Sequence, residues 1–288
     1  MRKTLGLTII AAMLAVELSI GWNLFRDKGE DSLWGAGKKD VTAIMASGKY
    51  IVPKQGSRNS LEYKIVEILQ GAAGDKIWAR QQALEIALKA LDLSHWLELN
   101  SLRYEFNFVD IHPASGKELV ISVSAGKDNG LVAVFSPGAK GYELIGALTD
   151  LVPVTHVGVI GLPGLDYKAL VIDEYLDEMT GAFFKVKTKS VYIFKGEALE
   201  KVWERDRYRK EYWPEGGQLK GDQTSWLMRK EEAAIVFRPE GKIEVTGIRT
   251  QGRSKNLGDL AGEYEITKKE KIKEVYIWNA EKRAFVLQ

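Results

Sequence analysis

The segment "DEYLDEMTG" sets four carboxylates, Asp173, Glu174, Asp177 and Glu178, within six residues. Two carboxylates can divide general acid and general base work when one is desolvated enough to keep its proton near neutral pH. The closing glycine predicts a hairpin tip, and a tip in water keeps the carboxylates ionised. That favours a solvated charged turn or a surface for a cation or a protein partner. In the partner reading Tyr175 and Met179 are apolar anchors inside an acidic rim. Four like charges so close repel one another unless a cation or a basic surface lies against them.

A second segment, "VWERDRYRKEYW", interleaves Trp203, Tyr208, Tyr212 and Trp213 with Arg205, Arg207, Arg209 and Lys210. Such mixtures stack on sugars or bases, or mark an interface rich in Tyr, Trp and Arg. The bland reading is aromatic side chains packed under a long loop.

Other chemistry finds little support. His95, His112 and His156 are scattered, and none forms a ligand pair with a carboxylate at metal spacing, so no metal or cofactor is expected. The glycines of "GVIGLPG", Gly158 to Gly164, have the wrong spacing for a dinucleotide fingerprint, and a strand rather than a helix follows. There is no G-x-S-x-G, and the serines of "ISVSAG" sit on strands with no histidine placed by sequence.

The chain has no cysteine, which removes disulfides, thiolate metal sites and thiol nucleophiles. Forty-one basic residues against thirty-nine acidic ones give a net charge of +2, so no overall field draws the protein to nucleic acid. Its 288 residues, 45% hydrophobic, suffice for a sizeable core.

At the start, Arg2 and Lys3 precede an apolar run that, interrupted by Glu17, extends from Leu5 to Phe25, twenty-one residues. This is the layout of a secretory signal or signal anchor, with the positive end inside and the rest exported. No A-x-A follows the run, and Ser19-Ile20-Gly21 is a small-x-small substitute. An amphipathic or buried helix of a soluble protein is the other reading. Export makes nucleic acid the least expected partner of the aromatic segment.

The organisation expected is a signal or anchor over 1–25, a charged linker over 26–40, a helical segment over 41–101 and a β domain over 102–288. "LEYKIVEILQG" fits strand or helix. "DKIWARQQALEIALKALDLSHWLEL" predicts a helix with Asp75 as N-cap and Ile77, Ala83, Leu84, Ala87, Leu88 and Leu91 on its apolar face. From Leu102 the period changes to two, and strands follow to the end.

Two echoes organise those strands. "LVISVSAGKDNGLVAVF" from Leu119 returns without a gap as "LVIDEYLDEMTGAFFKV" from Leu170, putting Gly181 at the place of Gly130. "VYIFKGEALEKVW" from Val191 returns as "VYIWNAEKRAFVL" from Val275. A hairpin with Arg238-Pro239-Glu240-Gly241 at its turn completes the last copy. The fold expected is mainly β, with about three antiparallel meanders starting near Leu102, Val152 and Ser225; the bland alternative is a sandwich of similar hairpins.

"VDIHPASGKELVISV" followed by "GLVAVFSPGAKGYELIG" resembles a blade of the FG-GAP and VCBS-like β-propeller repeats, and "VYIWNAEKRAFVLQ" is similar to the last hairpin of such a blade. The resemblance implies a propeller-like array of bacterial envelopes. The family's calcium loop, D-x-D-x-D-G, is reduced to Asp110 in the first copy and Asp166 in the second and is missing from the third, so the calcium role does not carry over. Three copies are also too few for a closed propeller, which implies a partial or irregular one.

The function expected is that of an extracytoplasmic, membrane-tethered, non-enzymatic binding or scaffolding module. Its partner would be an envelope protein or polysaccharide. The alternatives are an exported hydrolase using the carboxylate pair, and a periplasmic small-ligand sensor.

Overall fold

The computed structural model describes residues 49–52, 60–114, 116–180 and 183–288. The expected signal and linker, 1–40, lie outside the described residues, as does Gly181. The described chain is mainly β, in two antiparallel sheets with two helices on the first.

The first sheet has the order β1-β6-β5-β4-β3, from β1 (Lys49–Ile51), β3 (Arg103–Val109), β4 (Glu118–Ala125), β5 (Asn129–Pro137) and β6 (Tyr142–Leu151). A two-residue strand, β2 (Ser60–Leu61), also pairs with β6. Between β2 and β3 lie α1 (Tyr63–Gln70) and α2 (Lys76–Ala90). The ambiguous "LEYKIVEILQG" is thus mostly helix. Gly71 stops α1 at φ 116°, with the Ala72 N–H on the Glu67 carbonyl at 2.9 Å, a conformation an L side chain strains to adopt. Asp75 caps α2 through its Oδ1, which accepts from the Ile77 and Trp78 N–H groups at 2.9 and 3.0 Å.

The inward face of α2 is built on Ala79, Ala83, Leu84, Ala87 and Leu88. Its small residues let the helix lie close to the sheet. Ile77, expected on that face, is 79% exposed, because it sits in the first turn before the helix reaches the core. Asp92, with φ 58°, turns the chain into a short 3-10 helix over Ser94–Glu98, so the expected long helix ends at Ala90.

Every residue of β4 is buried, since both sides of the strand are covered. Leu119, Ile121 and Val123 pack with the helices, while Val120 turns to the other side and joins Val132, Val134 and Leu148 against the second sheet.

The second sheet runs in sequence order through β7 (Val154–Gly161), β8 (Lys168–Glu178), β9 (Phe184–Lys195), β10 (Ala198–Pro214), β11 (Trp226–Arg238), β12 (Lys242–Ser254), β13 (Tyr264–Asn279) and β14 (Ala284–Leu287). The unit start expected near Val152 falls at the passage between the sheets. The start expected near Ser225 falls inside the second sheet, just before β11. Two irregularities in β10, between Lys201 and Trp203 and between Asp206 and Tyr208, bend the long strand. The sheet then curls on itself: Trp278 Nε1 donates to the Pro163 carbonyl at 3.0 Å, and Arg283 Nη2 to the Phe194 carbonyl at 2.7 Å. Inside the curl lies a core of Val171, Val191, Ile193, Trp203, Ile243 and Val245.

Candidate functional site

The register of β8 on β9 decides the fate of the acidic segment. Asp173 faces Lys189, Tyr175 faces Lys187 and Asp177 faces Lys185. A strand alternates its side chains, so these six share one face, whereas Glu174 and Glu178 point to the other. Asp173 Oδ2 accepts from Lys189 Nζ at 2.6 Å, and Asp177 Oδ2 from Lys185 Nζ at 2.7 Å. Between them the Tyr175 ring has Lys185 and Lys187 ammonium groups 5.8 and 5.4 Å from its centre, and its hydroxyl donates to Asp177 Oδ2 at 2.8 Å. Burial pushes the Asp177 carboxyl up, but hydrogen bonds from Lys185 and Tyr175 outweigh it and hold the group below its ordinary value.

This corrects the hairpin-tip reading. Asp173 and Glu174 lie in the middle of a strand and are 8% and 7% exposed. The carboxylates do not crowd one another in water. They are rungs on a sheet whose opposite strand supplies lysines at the same period of two, in "KVKTK" from Lys185 to Lys189.

On the other face Glu174 accepts the Val152 N–H at 3.1 Å, holding the passage between the two sheets, and the Tyr175 N–H donates to the Pro153 carbonyl at 2.9 Å beside it. Burial pushes the Glu174 carboxyl up to about 7, with Lys201 opposing and Glu204 adding to the shift. Lys201 pairs with Glu204, and Ser190 Oγ donates to the same carboxylate at 3.3 Å. Tyr192 is 1% exposed, and burial raises the pKa of its hydroxyl well above the ordinary phenol value.

Glu178 reaches from the end of β8 to Lys127 in the β4–β5 turn at 3.1 Å, and so bridges the two sheets. Met179 is half-buried and packs with Tyr212, Trp226 and Met228. The two segments singled out in the sequence therefore meet in one small apolar cluster.

The rest of the aromatic segment lies along β10. Trp203 is buried, edge-on to Phe237 at 6.0 Å and Tyr276 at 5.7 Å. Tyr208 and Trp213 are half-buried, and Tyr212 lies 5.4 Å from Tyr264. Two of the segment's four cations, Arg205 and Arg209, are committed to ion pairs, and Lys210 lies 5.0 Å from the centre of the Tyr212 ring. Arg205 pairs with Glu231 at 2.5 Å and Glu274 at 2.9 Å, Arg209 with Asp206 at 2.7 Å, and Arg249 joins Glu231 at 2.8 Å. Burial alone would lower the Arg205 pKa, but the two glutamates raise it overall. Glu231 is likewise pushed up by burial and brought below its ordinary value by Arg205 and Arg249.

Sequence reasoning missed Glu118. Fully buried, it accepts the Ile111 and His112 N–H groups at 2.8 and 3.1 Å and the Ser136 hydroxyl at 3.3 Å. The loop that the propeller resemblance would furnish with calcium ligands is thus organised by a carboxylate from the strand behind it. His112 Nδ1 accepts the Ala114 N–H at 3.1 Å, and its ring stands edge-on to Phe194 at 4.8 Å. Among the described residues no group of three or more His, Asp or Glu converges as a metal site.

Two open grooves mark the curled sheet. One, about 500 Å³, is lined by Ile160 to Pro163 and Phe237 to Pro239; the other, about 330 Å³, by Gly164 to Tyr167 with Ala280 and Arg283. Neither has a pair of carboxylates in its lining.

Comparison of the chain with protein-family models, with curated proteins and with solved structures found no match.

Proposed function

We propose that the protein is an extracytoplasmic, membrane-tethered binding or scaffolding module of a cell envelope, without catalytic activity. One observation carries the reading. The partly exposed charged residues of the second sheet, Asp177 with Lys185, Glu200 with Lys195 and Glu244 with Arg238, pair across neighbouring strands, on a sheet whose strands run to seventeen residues, which makes an extended charged surface rather than a cleft. Surfaces of this kind hold partners by area and charge pattern.

The hydrolase alternative is disfavoured by the geometry of its own residues. Asp173 and Glu174 are neighbours on one strand and point to opposite faces, while the carboxylates that share a face, Asp173 with Asp177 and Glu174 with Glu178, stand four residues, roughly 13 Å, apart along it, so no pair closes on one substrate bond. Tethering is supported by Arg2 and Lys3 ahead of the apolar run from Leu5 to Phe25. Among the described residues no helix is long and apolar enough to cross a membrane, so the tether would be that run.

The irregular propeller-like array enters the proposal as an origin for the surface. Hairpins β4–β5 and β8–β9 are copies of one meander unit, used repeatedly to lengthen sheets. The buried triplets Leu119 to Ile121 in β4 and Leu170 to Ile172 in β8 support this, while the cross-strand partners differ, Leu119 facing Phe135 and Leu170 facing Tyr192 in a longer hairpin.

A reporter enzyme fused after Phe25 tests the location. Activity outside the cytoplasm is expected, and a reporter confined to the cytosol would overturn the tethered reading.

A further inference from the structure

The last full strand of the second sheet has an open side. β14 pairs with β13 only at Tyr276 to Asn279, and the Gln288 N–H reaches back to the Val275 carbonyl. Over residues 265–274, no strand among the described residues pairs with the outer edge of β13. An edge of ten residues with its outer backbone groups unpaired is a template for a further strand.

The side chains along this edge are sorted by face. Lys269, Lys271 and Lys273 share the face on which Thr250, Ile248 and Thr246 stand opposite them on β12. All three lysines are exposed, Ile248 is 41% exposed, and the row opposite carries no charge. The acids of β13 belong to the other face, where Glu274 pairs with Arg205 and Glu270 with Lys268. Among the described residues none of the three lysines forms an ion pair, although most arginines of this sheet do. Their ammonium groups recur at the two-residue step of a strand, roughly 7 Å.

We propose that the outer edge of β13 accepts an extended acidic segment of another protein as an added strand. Carboxylates at alternate positions of that segment would face Lys269, Lys271 and Lys273. The inference rests on the binding-module reading and names the chemistry of the partner. A second copy of this chain is disfavoured, because β13 against β13 would set lysine rows side by side, and directly opposed like charges repel. A strand needs both the backbone edge and the charge row, whereas an acidic polysaccharide uses the charges alone.

The test uses the full chain in an uncharged detergent and a fluorescein-labelled peptide of about ten residues, with Glu at every second position and Thr or Val between. Fluorescence polarisation should show saturable binding that weakens with salt. It should weaken by about tenfold or more in a Lys269→Gln/Lys271→Gln/Lys273→Gln variant, whose unchanged circular dichroism verifies the fold. A probe of the same sequence with its edge-facing amides N-methylated should bind at least about tenfold more weakly than the parent. Absence of binding by the parent peptide would overturn the proposal. So would equal binding of the two peptides, or displacement of the parent by polygalacturonate with the N-methylated probe equally retained, since charge alone would then suffice. A cytosolic reporter would remove the tether and leave these results standing, so the two readings fail separately.

Discussion

Asp173 and Lys189 face each other across β8 and β9, Oδ2 to Nζ 2.6 Å, with side chains only 11% and 15% exposed. Lys189 also lies 5.9 Å from the centre of the Phe237 ring, on a strand that reaches this place only because the sheet curls. Removing one member of such a pair strands the other charge in an apolar setting. Asp173→Leu should therefore cost about 3 kcal/mol of unfolding free energy, and Asp173→Leu/Lys189→Met should recover most of it. Urea unfolding of the single and double variants measures this, and a double variant no more stable than the single one would contradict it.

Glu174 gives a pH dependence of defined sign. Its folded pKa, raised to about 7, exceeds the ordinary 4.5, so the folded state holds the proton more tightly and stability falls as pH rises between those values. At 1.36 kcal/mol for each pH unit the loss is on the order of 3 kcal/mol by pH 8. Glu174→Gln keeps an acceptor for the Val152 N–H and removes the charge. It should flatten the decline between pH 5 and 8 and be more stable than the parent at pH 8. Equal slopes for the two proteins would refute the assignment. Glu118, also raised chiefly by burial, contributes a decline of the same sign that stays in both.

Asp177 and Glu178 are weaker contributors. The Asp177–Lys185 pair is 38% and 32% exposed and solvent-screened, and Lys127 opposite Glu178 is 63% exposed. Asp177→Asn/Glu178→Gln should cost less than about 1 kcal/mol, and the difference should shrink in molar salt. A loss of several kcal/mol that persists in high salt would instead place both carboxylates in the folding core.

Gly146 makes room for Tyr50. A Cβ on Gly146 would come within 2.0 Å of the Tyr50 hydroxyl, which donates to the Glu197 carbonyl at 2.8 Å and joins β1 to the second sheet. Gly146→Ala should cost about 1–3 kcal/mol by expelling the ring. In a Tyr50→Ala background the same change should cost little. Additive losses in the double variant, read by thermal unfolding, would show that the glycine serves some other contact.

Local signals in the chain were enough for several elements. The period of two from Leu102 onward announced strands, Asp75 announced the start of α2, and Arg238 to Gly241 announced the β11–β12 turn, because caps, turns and alternation are set by neighbours a few residues apart. The acidic and aromatic segments were visible as composition, but their roles were not. Whether Asp173 meets water or Lys189 depends on the register between β8 and β9 and on the curl that brings Phe237 over the pair. A one-residue slip would turn every one of those side chains to the opposite face. Likewise, nothing near Arg205 in the chain points to Glu231 or Glu274, and nothing near Glu118 except the fold marks it as the anchor of the 110–114 loop. Residue type and local period were written in the sequence. Which charge meets which was decided by long-range strand pairing, since a strand exposes its side chains equally to whatever partner the tertiary structure brings alongside.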